Sequence, residues 1–159
     1  MSKPQVAAPQ PGLWFMNTHV DVAVSGASNA SRLSVLEHLM PYGEAPPIHV
    51  HHDEDEIFHI LEGEMVLELG GERISASAGQ TVLAPRGVPH GFHVVSPQGV
   101  RCLTITCGGF EAMVRQASRP AAERRLPDPV EPTEEMQRTL GAICAEQRID
   151  LLGPPISRT

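Results

Sequence analysis

Short strand-like segments, each ended by proline or glycine, recur through residues 13–107. This stretch contains no apolar pattern of roughly 10 to 15 residues that would fit a helix crossing between parallel strands. The 159 residues include 14 glycines and 15 prolines, which favour turns. Successive strands without crossover helices predict an all-β fold, an antiparallel sandwich or barrel. The predicted strands span residues 32–40, 48–52, 57–61, 65–69, 72–76, 81–84, 90–95 and 100–107.

The link between residues 57–61 and residues 65–69 predicts a hairpin. Glu62, Gly63 and Glu64 separate the two strand-like runs, and a three-residue link that contains glycine is typical of a hairpin connection. We therefore expect these two strands to pair with each other in one sheet.

The last third of the chain departs from the strand pattern. Residues 110–117 predict a short helix, and the four prolines of residues 119–132 predict an irregular surface connection. Thr133 can cap a second helix that runs to about Arg148. Three apolar residues of this second helix share one face, which would let it dock on the strands: Met136, Leu140 and Ile143.

These patterns divide the chain into three segments. Residues 1–12 are rich in proline, glutamine and alanine and predict a flexible N-terminal arm. Residues 13–110 form the predicted barrel. Residues 111–159 form a predicted helical extension packed on that barrel.

Charge and cysteine usage limit the partners and the compartment. The net charge of -7 leaves no excess of lysine and arginine to neutralise a nucleic acid or an anionic membrane. The three cysteines, Cys102, Cys107 and Cys144, are odd in number and form no Cys-x-x-Cys pair, which favours a reducing compartment. The N-terminal residues contain no apolar run of signal-peptide length. We therefore expect a cytoplasmic protein with neither a nucleic-acid nor a membrane partner.

Histidines are concentrated in the predicted barrel, where six of the eight lie between His49 and His93. His49 and His51 alternate along a predicted strand, so their side chains point to the same face. Glu56 follows a polar run that can turn the chain, and would open the next strand facing back toward them. His90 opens another predicted strand and is a candidate fourth ligand. Because an unpaired buried carboxylate is costly and imidazoles bind transition metals, these residues predict a metal site.

The same residues resemble the first motif of the cupin family. That motif runs Gly, five residues, His-x-His, three or four residues, Glu, six residues, Gly. Here it extends from Gly43 through His49, His51 and Glu56 to Gly63, with every fixed position filled.

A second cupin motif is matched in all but its last position. It runs Gly, five residues, Pro-x-Gly, two residues, His, three residues, Asn, and the chain supplies Gly79, Pro85, Gly87 and His90. Val94 stands where the family has asparagine. That position usually serves the structure rather than the metal.

The resemblance covers residues 30–107, and over residues 46–64 it extends to small single-domain cupins labelled quercetin 2,3-dioxygenase-like. It implies a cupin-type double-stranded β-helix, or jelly-roll, barrel. It also implies one divalent transition metal per chain (Fe, Mn, Ni, Co, Cu or Zn) and a homodimer. The implied ligands are His49, His51, Glu56 and His90.

Other polar residues of the region are assigned no ligand role. His52, His59 and His93 face away from the predicted ligands, and His19 and His38 have no motif support. The charged run at residues 53–55 predicts a solvated turn, or alternatively a carboxylate that orients a ligand histidine. The predicted apolar wall of the cavity consists of Phe58, Ile60, Met65, Phe92 and Val94.

Three functions fit these residues. The first is a dioxygenase acting on a small aromatic or enolisable substrate, with Glu56 as ligand and general base. The second is a metal-dependent isomerase or lyase without redox chemistry. The third is a binding module for a small ligand, without catalysis. A mostly apolar cavity favours the first.

Overall fold

The computed structural model describes Val6 and residues 10–157, so most of the predicted arm at residues 1–12 lies outside the described residues. The helices are α1 (Phe110–Ala117) and α2 (Glu134–Glu146). Neither is long and apolar enough to cross a membrane. The strands are β1 (Leu13–Phe15), β2 (Thr18–Val24), β3 (Ser34–Met40), β4 (Pro47–His51), β5 (Glu56–Glu62), β6 (Glu64–Leu69), β7 (Glu72–Ser77), β8 (Thr81–Ala84), β9 (His90–Val94), β10 (Val100–Thr106), β11 (Arg119–Pro120) and β12 (Ile149–Pro155).

The described strands form two antiparallel sheets. The larger sheet has the order β11-β1-β2-β3-β10-β5-β8, and the smaller has the order β12-β4-β9-β6-β7. Apolar side chains from both sheets meet in one buried cluster, including Phe58 and Cys102 from the larger sheet and Met65 and Val94 from the smaller. The predicted all-β architecture is confirmed, and each strand predicted from the sequence is present.

The predicted hairpin between β5 and β6 is wrong. β5 pairs with β10 and β8 in the larger sheet, whereas β6 pairs with β7 and β9 in the smaller sheet. Gly63, between them, has a φ of 85°, and a side chain there would collide with the carbonyl oxygen of Gly99. This tight glycine turn therefore carries the chain from one sheet to the other.

The C-terminal helices pack beside the strands. α1 has the predicted bounds, and α2 ends at Glu146, two residues before the predicted end at Arg148. The side chain of Thr133 accepts a hydrogen bond from the backbone N–H of Met136, as expected of an N-cap. A second buried cluster joins the helices to β2, β3 and β12, and contains Val20, Leu36, Phe110, Met113, Val114, Cys144 and Ile149.

Strand β12 was not among the predicted strands. Its Gly-Pro-Pro ending suggests a turn, but β12 lies at the edge of the smaller sheet, where proline is tolerated because no further strand needs its N–H. β12 pairs with β4, placing Ile149 opposite His51 and Leu151 opposite His49. The end of the chain therefore supports the strand that carries two predicted ligands.

His38 on β3 is a buried histidine whose protonation is linked to folding. Its Nε2 atom lies 2.9 Å from the hydroxyl of Thr104, and 5% of the residue is exposed. Burial lowers the pKa of His38 from 6.5 to about 4, against an opposing effect of the Glu56 carboxylate. The folded protein therefore keeps this ring neutral at a pH where the unfolded chain protonates it.

The free energy of unfolding should consequently fall as the pH is lowered from about 6.5 to about 4. Between pH 7 and pH 5 this residue should account for a loss of about 2 kcal/mol. His38→Gln, which keeps a group able to bond Thr104, should remove that part of the loss. Urea unfolding of both proteins at the two pH values measures it, and an identical pH dependence would contradict the assignment.

Candidate metal centre

The four predicted ligands come from both sheets. His49 and His51 lie on β4, His90 opens β9, and Glu56 opens β5 on the opposite sheet. His49 and His90 are direct partners in the register of β4 and β9. Glu56 therefore faces the histidines, as expected from the polar run before it, which can turn the chain.

One oxygen of Glu56 is the centre of the cluster. Its Oε2 atom lies 3.1 Å from Nε2 of His90, 3.3 Å from Nε2 of His51 and 3.8 Å from Nε2 of His49. The four candidate ligand atoms all lie within 4.8 Å of one another. Atoms that bind one ion at about 2.0 to 2.2 Å are separated by about 3 to 3.5 Å from each other, and the three distances between Nε2 and Oε2 of Glu56 come close to this spacing.

Each imidazole is oriented through its other nitrogen. The Nδ1 atom of His49 lies 2.9 Å from the carbonyl oxygen of Pro47, and that of His90 lies 2.9 Å from the carbonyl oxygen of Val88. A carbonyl can only accept, so Nδ1 carries the hydrogen in both rings. Nε2 is then the ring atom directed at Glu56, and a bound metal would take its lone pair.

One ligand nitrogen of the cluster has no hydrogen-bond partner in the part of the chain that the structure describes, and a bound metal would coordinate it. Nε2 of His51 is buried without a hydrogen-bond partner of good geometry among the described residues. Glu56 is 2% exposed, and its charged neighbours among the described residues are imidazoles rather than lysine or arginine. A buried carboxylate beside an unsatisfied imidazole nitrogen is stabilised by a cation. The residues present therefore fit a divalent transition metal.

The charges inside the cluster depend on one another. Burial raises the pKa of Glu56, but the charge of His51 and the neighbouring imidazoles of His49 and His90 bring that pKa well below its usual range. Burial lowers the pKa of His51, but the carboxylates of Glu56 and Glu54 raise it to about 9. Glu56 is therefore ionised at neutral pH and available as a ligand.

A pocket opens beside His49, His51 and Glu56, with an empty volume of about 700 Å³ that includes its open mouth. Apart from the ligands, the described lining is mostly apolar and includes neither lysine nor arginine. Both sheets and the C-terminal segment contribute to it, among others through Phe15, Met40, Phe58, Phe92, Phe110, Met113, Leu140, Cys144, Ile149 and Leu151.

The predicted pocket wall was only partly right. Phe58 and Phe92 line the pocket, whereas Ile60, Met65 and Val94 lie in the core between the sheets. The contribution of α1, α2 and β12 was missed. The apolar face of α2 predicted docking, but nothing in the spacing of those residues indicates that the docked helix closes a metal site.

Glu54 belongs to the site, although the favoured interpretation placed it in a solvated turn. It is 4% exposed, and its Oε1 atom lies 3.2 Å from Nδ1 of His51. The alternative, a carboxylate that orients a ligand histidine, fits this residue. Its neighbours differ, because Asp53 pairs with Arg148 at the surface and Asp55 accepts a hydrogen bond from the backbone of Arg86. The charge pattern alone cannot tell these three residues apart.

The remaining histidines lie outside the cluster. His52 is exposed and lies 2.8 Å from Asp150, and His59 lies 2.8 Å from the hydroxyl of Thr81. His19 and His93 are buried away from the four ligands, and His38 lines the pocket without joining them.

Comparison with known proteins supports the resemblance to cupins. Residues 35–106 match the family model described as a cupin domain. The chain is 39% identical over 67 residues to quercetin 2,3-dioxygenase of Bacillus subtilis, a stretch that is 42% of this chain and 20% of the dioxygenase. It is 33% identical over 57 residues to an uncharacterised protein of Methanocaldococcus jannaschii, 36% of this chain and 46% of that protein. The chain therefore spans less than half the length of either relative.

A solved structure shares the fold. The cupin domain of Schizosaccharomyces pombe Cnp3 superposes with a TM-score of 0.53 over 69% of this chain and 74% of that chain. The sequence identity is 14%, so the likeness concerns the fold alone.

His49→Ala should remove a ligand and weaken the binding of Co²⁺ or Zn²⁺ by at least about tenfold. His52→Ala is the matched control, because it removes an exposed imidazole of the same chain segment that contacts Asp150 instead of the cluster. Isothermal titration calorimetry of the metal-free proteins measures both. Equal affinities of His49→Ala and wild type would contradict the ligand assignment.

Proposed function

Residues 35–106 match the cupin-domain family model, and we propose that the chain is a metal-dependent dioxygenase acting on a small aromatic or enolisable substrate. The observation that carries the proposal is the convergence of three imidazole Nε2 atoms on the Glu56 carboxylate at the side of an apolar pocket. A metal bound there would have an apolar substrate cavity next to it.

His49, His51, Glu56 and His90 would hold the metal. When bound, the ion supplies Lewis-acid and one-electron chemistry to a substrate that carries oxygen ligands. The protein's own residues provide the remaining functions. The Glu56 carboxylate, which lines the pocket, accepts the hydroxyl proton of the substrate as it becomes an enolate.

The pocket wall favours an aromatic substrate over a phosphorylated one. Aromatic rings from Phe15, Phe58, Phe92 and Phe110 line the cavity, and they exclude water from the reacting groups. A sugar phosphate would need a cationic side chain, and the described lining has no lysine or arginine. Arg101 on β10 pairs with Glu37 and Glu62 and does not line the cavity.

The 39% identity over 67 residues to quercetin 2,3-dioxygenase supports the same chemistry. We therefore favour oxygen chemistry over a non-redox isomerase or lyase and over a binding module without catalysis.

Protein loaded separately with Fe, Mn, Ni, Co or Cu should consume dioxygen when given flavonols or catechols, as measured with an oxygen electrode. Glu56→Gln should reduce the rate at least about 100-fold, because the amide neither accepts the proton nor supplies the anionic ligand. His52→Ala should keep the wild-type rate. Absence of oxygen uptake across the panel by metal-loaded protein would contradict the proposal, and would favour an isomerase, a lyase or a binding module.

We also propose that the protein is a cytoplasmic homodimer. Both sheets have open edges, at β8 in the larger and β7 in the smaller, and pairing between chains is one way to cover such edges. The three cysteines are free, which suits a reducing compartment.

Light scattering after size-exclusion chromatography should give twice the chain mass of 17.2 kDa. A mass equal to one chain at micromolar concentration would overturn the dimer.

A further inference from the structure

A buried carboxylate that is not one of the four candidate ligands lies directly behind one of them. We propose that Glu54 is a positioning residue, which holds His51 in its metal-binding orientation and connects it to the first turn of α1. The proposal rests on the proposed metal site and adds a residue to it.

One oxygen of Glu54 serves two donors from different parts of the fold. Oε1 accepts a hydrogen bond from Nδ1 of His51 at 3.2 Å and another from the backbone N–H of Phe110 at 2.9 Å. Phe110 is the first residue of α1, so its N–H has no partner within the helix. The carboxylate therefore satisfies a helix end and a ligand at the same time.

The backbone is shaped around this carboxylate. A side chain at Gly108 would place its Cβ atom 2.6 Å from Oε2 of Glu54, which no real contact allows. Only glycine lets the segment before α1 close over the carboxyl group at this distance. Glu54 is consequently buried, whereas Asp53 next to it is exposed and pairs with Arg148.

His51 differs from the other two imidazoles in its supporting partner. His49 and His90 are oriented by backbone carbonyl groups, which no substitution can remove. His51 is oriented by a side chain that also carries charge. A carboxylate behind a ligand histidine fixes the ring and raises the basicity of its metal-binding nitrogen. Glu54 is therefore the residue through which substitution can tune this ligand without touching the metal.

The same contact links the ligand to the pocket. Phe110 and Met113 of α1 line the cavity, and Phe110 is tied through its N–H to Glu54. The aromatic rings of Phe110 and His51 have centroids 5.7 Å apart. Loss of the carboxylate should therefore free both the ligand and the start of the wall helix.

Two variants separate the hydrogen bond from the charge. Glu54→Gln can keep an acceptor oxygen at the position of Oε1. Oε2 accepts no hydrogen bond from the described residues, so an NH₂ group at its position breaks no hydrogen bond. Glu54→Ala removes acceptor and charge together. Asp53→Asn is the matched control, because it removes one negative charge from the adjacent residue without touching an imidazole.

Titration of the metal-free full-length proteins with Co²⁺ alone should show a binding constant about 10- to 100-fold weaker for Glu54→Ala than for wild type. Glu54→Gln should lie between the two, with an altered Co²⁺ absorption spectrum, and Asp53→Asn should match wild type. Binding and spectra of both Glu54 variants indistinguishable from wild type would overturn the proposal. If Glu54→Ala does not fold, the comparison of Glu54→Gln with Asp53→Asn carries the same test.

A measurement without metal separates this inference from the proposed function. In nitrogen-15 NMR of the metal-free protein, the Nδ1 proton of His51 should be shifted downfield and protected from exchange. It should be lost in Glu54→Ala and retained in Asp53→Asn. An unchanged proton signal in Glu54→Ala would overturn the positioning role. Failure of the wild type to bind Co²⁺ would instead overturn the proposed function, and this signal would still decide the role of Glu54.

Discussion

The buried carboxylate of Glu56 is the constraint on which the rest of the site depends. It lies at 2% exposure, and the groups beside it are three imidazoles. A lone carboxylate at such a position would be strongly destabilising, so the surrounding groups must supply positive charge, either as protons on histidine or as a bound cation. Two backbone carbonyls and one carboxylate hold the far sides of the three rings, which leaves their Nε2 atoms directed at Glu56.

The fold brings these groups together by joining two sheets and a C-terminal segment. β4 and β9 supply the histidines from one sheet, and β5 supplies the carboxylate from the other. β12 flanks β4 in register with both of its ligands. The helices α1 and α2 then close the apolar pocket from the side. Changes in the last third of the chain are consequently expected to alter the metal site, although none of the four candidate ligands comes from it.

Local rules predicted much of this arrangement. Alternation along β4 places His49 and His51 on one face, and the position of Glu56 after a polar turn predicts its opposing direction. Motif spacing added His90. The errors concern relations between distant segments. Nothing local shows that the turn at Gly63 changes sheets, or that an edge strand could contain the final prolines. The charge pattern does not distinguish Glu54 from Asp53, but in the fold Glu54 bonds the start of α1, whereas Asp53 pairs with Arg148 at the surface.

The measurement that tests the central claim most directly is anomalous diffraction from crystals of the metal-loaded protein, collected on either side of the absorption edge of the metal supplied. One peak per chain is predicted, about 2.0 to 2.2 Å from the Nε2 atoms of His49, His51 and His90 and from a carboxylate oxygen of Glu56. A peak bound elsewhere, or no peak in crystals grown with excess metal, would contradict the account.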